Sequence, residues 1–189
     1  MITVAITGSI GSGKSTVTEY LSERYYTQSC DAINAEILMK SQEVKEAFCD
    51  CLVDGEIDRG LVSNRIFNCA EDRKLLESIL HPLILKEIQK NLKAHSVDEL
   101  CFVEVPLLFE AGWQKYFDQS LLIVCPEEKL IRRLMYGRHM KKKEVLRRLS
   151  TQMPIEEKLS LADDVIINDG SRKELQDKVD EYLCQICGK

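Results

Sequence analysis

The sequence predicts an α/β fold, a parallel sheet flanked by helices, with a helical insertion and an arginine-bearing lid. Three observations carry this prediction. A strand, a glycine-rich loop and a helix open the chain. Short apolar segments then recur with helical stripes between them. Two longer stretches, one helical and one basic, do not fit a minimal sheet.

The opening strand shows as alternation: Ile2, Val4 and Ile6 interleave with Thr3, Ala5 and Thr7. Residues 8–15 read Gly-Ser-Ile-Gly-Ser-Gly-Lys-Ser, a full match to G-x-x-x-x-G-K-[ST]. Val17, Tyr20, Leu21 and Tyr25 follow on one face of a helix. In this setting backbone N–H groups and the positive end of the helix wrap a phosphate chain. Gly8, Gly11, Ser12, Gly13, Lys14, Ser15 and Thr16 are therefore candidate nucleotide-binding residues. Lys14 is placed to reach the β- and γ-phosphates, and the Ser15 hydroxyl to ligate Mg²⁺.

Asp31 follows Ser29-Cys30, where a second strand is expected to end, and ligands bind at strand carboxyl ends in such sheets. Residues 34–96 hold helical stripes, including Leu75, Leu76, Ile79 and Leu80. Pro82 is expected to interrupt them and to start a further helix carrying Leu85, Ile88 and Leu92, with His81 just before it. Further strands are predicted at 100–105, 120–125 and 165–167. Glu104, closing one of them, is a candidate to hold a Mg²⁺-bound water.

Residues 129–148 carry nine Lys or Arg against the single acid Glu144, a net +8 that leaves −13 on the rest of a chain of net −5. Lys141, Lys142 and Lys143 read as a solvated face. Arg132, Arg133 and Arg138, just after a predicted strand, suit a lid that closes on transferring phosphates. The last helix carries Leu175, Val179, Leu183 and Ile186. Cys184 and Cys187 form a C-x-x-C pair on it, for which half-buried packing is expected. A zinc site would need two further ligands that the sequence does not supply.

The 189 residues, 44% hydrophobic and 30% charged, fit one globular unit with a small insertion. A pI near 5.4 argues against general nucleic-acid or anionic-membrane binding. The longest apolar runs, such as Leu121 to Cys125, are strand-sized. With no signal peptide expected, the eight cysteines are expected to stay reduced and the location to be cytoplasmic.

Beyond the loop, particular elements recur in order: Asp31-Ala32, Asp58-Arg59 with Leu61, and Leu80-His81-Pro82. They continue with Val105-Pro106-Leu107-Leu108-Phe109-Glu110, Arg133-Leu134, Arg138, Gln152, Ala162-Asp163 and Asn168. In these the chain resembles the dephospho-coenzyme A kinases nearly end to end. The resemblance implies a P-loop kinase that uses ATP and Mg²⁺ to phosphorylate the ribose 3′-hydroxyl of dephospho-coenzyme A. It implies a core at 1–33, 97–128 and 154–189, a helical substrate region at 34–96 and a lid at 129–153. It makes Asp31 the leading general base, Arg138 a lid arginine and Asn168 a neighbour of the adenine. It places His81, Pro106, Leu107 and Glu110, with Asp31, on the acceptor side.

The chain also departs from the family pattern. Ile33 stands where the family's D-A-D motif has its second acid, so Asp31 acts alone, or Glu36 or Glu104 compensates, or turnover is impaired. Glu104 replaces an aspartate, and the stretch from Arg133 to Arg138 is one residue longer. A kinase for another small acceptor, such as a nucleoside monophosphate, shares the same cradle. A GTP-dependent switch would need Asn-Lys-x-Asp and Asp-x-x-Gly, and neither occurs.

Overall fold

The computed structural model describes residues 1–188. In chain order, β1 (Ile2–Thr7), α1 (Lys14–Ser22) and β2 (Tyr26–Ser29) lead into α2 (Cys30–Lys40) and α3 (Gln42–Ala47). The short β3 (Leu52–Val53) and β4 (Glu56–Ile57) precede α4 (Arg59–Asn68) and α5 (Ala70–Ala94). Next come β5 (Leu100–Glu104), β6 (Gln119–Val124), α6 (Glu127–Gly137), α7 (Lys142–Ser150), α8 (Ile155–Leu161), β7 (Asp164–Ile167) and α9 (Arg172–Cys187). The chain divides into two compact units, residues 1–28 with 96–188, and residues 29–95.

The first unit is built on a five-stranded parallel sheet of order β2-β5-β1-β6-β7. β1 lies at its centre because nearly every side chain it carries is buried. Val4, Ile6, Phe102, Leu121 and Ile123 bury one sheet face beneath Val17 and Leu21 of α1 and Leu175, Val179 and Leu183 of α9. A capping box starts α9: the Ser171 hydroxyl accepts from the Glu174 N–H, and the Glu174 carboxylate accepts from the Ser171 N–H. Cys184 and Cys187 ride the opposite side of α9 and are exposed, not half-buried as the spacing suggested. Leu183 and Ile186 take the inward positions instead.

The second unit is helical. Ser29, Ser41 and Asp58 cap α2, α3 and α4 by accepting N–H bonds from Ala32, Val44 and Leu61. Contrary to the sequence expectation, Pro82 does not start a new helix; it sits inside the 25-residue α5. Leu76, Leu80, Ile84, Ile88 and Leu92 form one buried stripe straight through it. The N–H that proline lacks would have bonded the carbonyl of Ser78, an exposed residue whose carbonyl water can solvate, so burial of the stripe outweighs the lost bond. His81 is accordingly mid-helix. The β3–β4 hairpin was also unforeseen; its turn residues Asp54 and Gly55 both have positive φ, 50° and 80°, as an Asp-Gly hairpin turn requires.

Candidate active site

The phosphate loop begins where β1 ends. Ile6 is in register with Glu104 on one side and Leu121 on the other, so the loop emerges beside the β5 carboxylate. Two glycines are fixed by close approach. A Cβ on Gly8, at φ 146°, would lie 2.3 Å from the Ile123 carbonyl, and one on Gly13, at φ 105°, would lie 2.2 Å from Asn168 Nδ2. Any side chain would push the loop off its support. Gly13 is also the N-cap of α1, which has no side-chain cap and no acid in its first turn. Its positive end is therefore left for an external anion.

Lys14 is only 7% exposed. Its Nζ donates to the carbonyls of Gly8 (2.8 Å) and Ser9 (3.1 Å), which holds the ammonium over the loop. Ser15 Oγ lies 3.4 Å from Glu104 Oε1, and Thr18 Oγ1 lies 3.5 Å from Glu104 Oε2 and 3.0 Å from the Lys14 carbonyl. A hydroxyl and a carboxylate side by side form a hard oxygen donor set. It fits Mg²⁺, which keeps waters and takes its other ligands from substrate phosphates. Among the described residues no group of three or more His, Cys, Asp or Glu could hold a metal ion, so protein side chains alone form no cage.

Behind the loop stands a brace. Asn168 is buried; its Nδ2 donates to the Ser12 carbonyl at 2.7 Å, and its Oδ1 accepts from Arg133 at 3.2 Å. Its own N–H is tied to Val124 at 2.6 Å. Asn168 thus joins β6, the loop and α6. Arg133 also donates to Cys125 Sγ at 3.4 Å. Burial pushes the Cys125 thiol up, partly offset by the Arg133 and Lys129 charges, so it stays protonated at neutral pH.

The basic segment is two short helices, α6 and α7, with a small apolar cluster of Cys125, Leu130, Leu134 and Val145, against which Ile10 of the loop packs. Arg132 and Arg138 are exposed, Arg138 as the C-cap of α6. After β5, the Pro106 carbonyl accepts the buried Thr7 hydroxyl at 3.4 Å, and Leu107 is half exposed. Glu110 pairs with Lys158 at 2.7 Å and accepts the Met153 N–H at 3.0 Å. Sequence reasoning did not foresee Lys158, because a lysine beside Glu156 and Glu157 reads as part of a solvated face. The Arg133–Asn168–Ser12 chain was equally invisible, since it joins residues far apart in sequence.

In the helical unit, Asp31 is exposed in the first turn of α2, where a carboxylate is favoured by the helix dipole. His81 is half-buried in α5. Arg65 makes a two-pronged bond to Asp72 (2.9 and 2.8 Å), reaches Asp50, and lies 4.7 Å over the Phe48 ring. The Arg65 guanidinium bonded to it holds the Asp72 carboxyl below the usual carboxylate range.

The family model for dephospho-CoA kinase matches residues 2–174. A curated dephospho-CoA kinase of Thermus thermophilus is 36% identical over 189 residues, covering 99% of this chain and 93% of its own. One from Legionella pneumophila is 37% identical over 185 residues, covering 94% and 92%. A crystal structure from Thermus thermophilus superposes with a TM-score of 0.85 at 37% identity, over 97% of both chains. The dephospho-CoA kinase from Campylobacter jejuni gives 0.75 at 29%, over 97% and 96%. A shikimate kinase from Acinetobacter baumannii, 14% identical with a TM-score of 0.57, shares the fold over 100% of this chain and 94% of its own. By the family match and these relatives, the chain belongs to the dephospho-CoA kinase family.

Proposed function

We propose that this chain transfers the γ-phosphoryl group of ATP to the ribose 3′-hydroxyl of dephospho-coenzyme A, giving coenzyme A and ADP. The observation that carries the reading is the braced phosphate loop with Glu104 beside the Ser15 hydroxyl, in a chain whose family match runs from residue 2 to 174.

The acceptor oxygen attacks the γ-phosphorus, the bond from that phosphorus to the β,γ-bridging oxygen breaks, and ADP leaves with the bond's electron pair. The hydroxyl proton passes to a carboxylate, which we assign to Asp31. The loop amides from Gly8 to Thr16 and the Lys14 ammonium bind the β- and γ-phosphates; Lys14 exchanges the Gly8 and Ser9 carbonyls for phosphate oxygens on binding. Ser15 and Glu104 would hold Mg²⁺, which supplies charge neutralisation on the phosphates. Arg138 meets the charge developing on the transferring group, and Asn168 keeps the loop in its binding shape. On the acceptor side we assign His81, Pro106 and Leu107.

The −5 net charge supports small-molecule partners over nucleic acid. No helix among the described residues is long and apolar enough to cross a membrane. The scattered cysteines support a cytoplasmic setting.

The test is to incubate the pure protein with Mg-ATP and a panel of acceptors: dephospho-coenzyme A, nucleoside monophosphates and shikimate. Phosphorylation of dephospho-coenzyme A alone, read by product mass, is expected. Turnover of a nucleoside monophosphate in its place would overturn the reading.

A further inference from the structure

Helix α8 is patterned the wrong way round for a surface helix. Lys158 is its fully buried residue, while Leu159 and Leu161 are each 44% exposed. The ammonium forms an ion pair with Glu110 Oε1 at 2.7 Å, and among the described residues no group accepts a well-aligned hydrogen bond from it. A buried lysine held by a single carboxylate oxygen is costly by comparison with a packed apolar side chain. Stability alone does not account for it.

What the pair holds is informative. The same Glu110 oxygen accepts the Met153 N–H at 3.0 Å. The preceding residue, Gln152, uses its Oε1 to accept the N–H of Ile10 in the phosphate loop at 3.1 Å. Residues 152–158 therefore form a strap. One end is tied to the loop that binds phosphate, and the other is clamped through Glu110 to the segment that leaves β5. Gln152 and Met153 are consecutive, so the two ties cannot shift independently. The strap also closes the segment that carries the lid arginines, which ends at α7 just before it.

We propose that Gln152 and Lys158 are positioning residues for phosphoryl transfer, Lys158 acting through Glu110 to fix the strap and Gln152 transmitting that position to the phosphate loop. Glu110 then serves by holding Met153 and Lys158 and not by touching the acceptor. The inference rests on the kinase reading above. Geometry errors of about 1 Å at a reacting centre cost up to a hundredfold in rate, so the expected signature is a loss in kcat with binding largely kept.

The test uses Gln152→Met, which removes the acceptor at a half-buried position, and Lys158→Met. Because Lys158→Met leaves a carboxylate without its partner, Glu110→Met/Lys158→Met is made as well, removing both charges and the Met153 tie together. Each folded variant should lose about tenfold to a hundredfold in kcat, with Kd for ATP and KM for dephospho-coenzyme A within about threefold of the parent. Amide exchange at residues 8–12, measured without any substrate, should rise in all of them. That readout does not depend on the acceptor, so a failure of the kinase assignment is distinguishable from a failure of the strap. Parental kcat and parental loop exchange in folded Gln152→Met, or in the folded double variant, would overturn the proposal. So would a loss confined to melting temperature.

Discussion

Replacing Asn168 by alanine isolates the brace behind the phosphate loop. The side chain makes two bonds: Nδ2 to the Ser12 carbonyl at 2.7 Å, and Oδ1 from Arg133 at 3.2 Å. Alanine leaves the Ser12 carbonyl, at a fully buried residue, without this donor, which costs about 1–3 kcal/mol. The Arg133 bond is charge-assisted, but Arg133 keeps Cys125 and is only partly buried, so its loss adds less than a full charged bond. A total of about 2–4 kcal/mol follows, read by urea denaturation. If about 1.4 kcal/mol of this falls on the loop's binding conformation, the Kd for ATP rises tenfold. A fluorescent ATP analogue measures that directly. Asn168→Asp separates donation from packing. It keeps the shape, turns an oxygen toward the Ser12 carbonyl and sets negative charge near the phosphates, so it should weaken ATP at least as much as alanine. ATP affinity unchanged in both variants would refute the brace, and affinity lost in alanine but kept in aspartate would show that packing alone matters.

Lys14→Ala should lower kcat by about a hundredfold to a thousandfold, the usual effect of removing one preorganised charge from a transition state; steady-state kinetics on the folded variant check it. Asp31→Asn should lower kcat by about 10² to 10⁴ while Kd for ATP changes little, and Ile33→Asp should be neutral or harmful if Asp31 already suffices, since a second acid nearby raises one pKa. For the helical unit, Arg65 holds Asp72 below its ordinary range, so the pair stabilises the fold above the ordinary carboxylate pKa. That contribution is lost as pH falls through the depressed value. Arg65→Met should therefore be less stable than the parent at neutral pH, with the gap closing in acid, as melting curves across pH would show.

The parts of the fold that are legible in the sequence are those written in local patterns. The alternation of Ile2 to Thr7, the glycine loop and the stripe of α9 each lie within one element, and the structure has all three. Pro82 shows where local reading stops. Its local cost is real, yet the stripe from Leu76 to Leu92 buries enough surface to keep α5 continuous. Asp54-Gly55 was a readable turn signal, but strands two residues long give almost no periodicity to accompany it. The candidate site divides the same way. The cradle from Gly8 to Ser15 and the Glu104 carboxylate were visible as motif and strand end. The Asn168–Ser12 bond spans 156 positions and the Lys158–Glu110 pair forms only on folding, so neither leaves a trace in a single sequence. Arg132, Arg133 and Arg138 all read as lid arginines in the sequence; the structure gives Arg133 Asn168 and Cys125 as partners and leaves Arg132 and Arg138 exposed, and of these two we assign Arg138 to the transfer.

The most direct test of the central claim is which hydroxyl takes the phosphoryl group. The 2′-deoxy and 3′-deoxy analogues of dephospho-coenzyme A should be offered with labelled ATP and the products resolved by mass and phosphorus NMR. The 2′-deoxy analogue should be phosphorylated, and the 3′-deoxy analogue should bind without turnover. Label on the 3′-deoxy analogue, or none on either analogue while a nucleoside monophosphate is turned over, would contradict it.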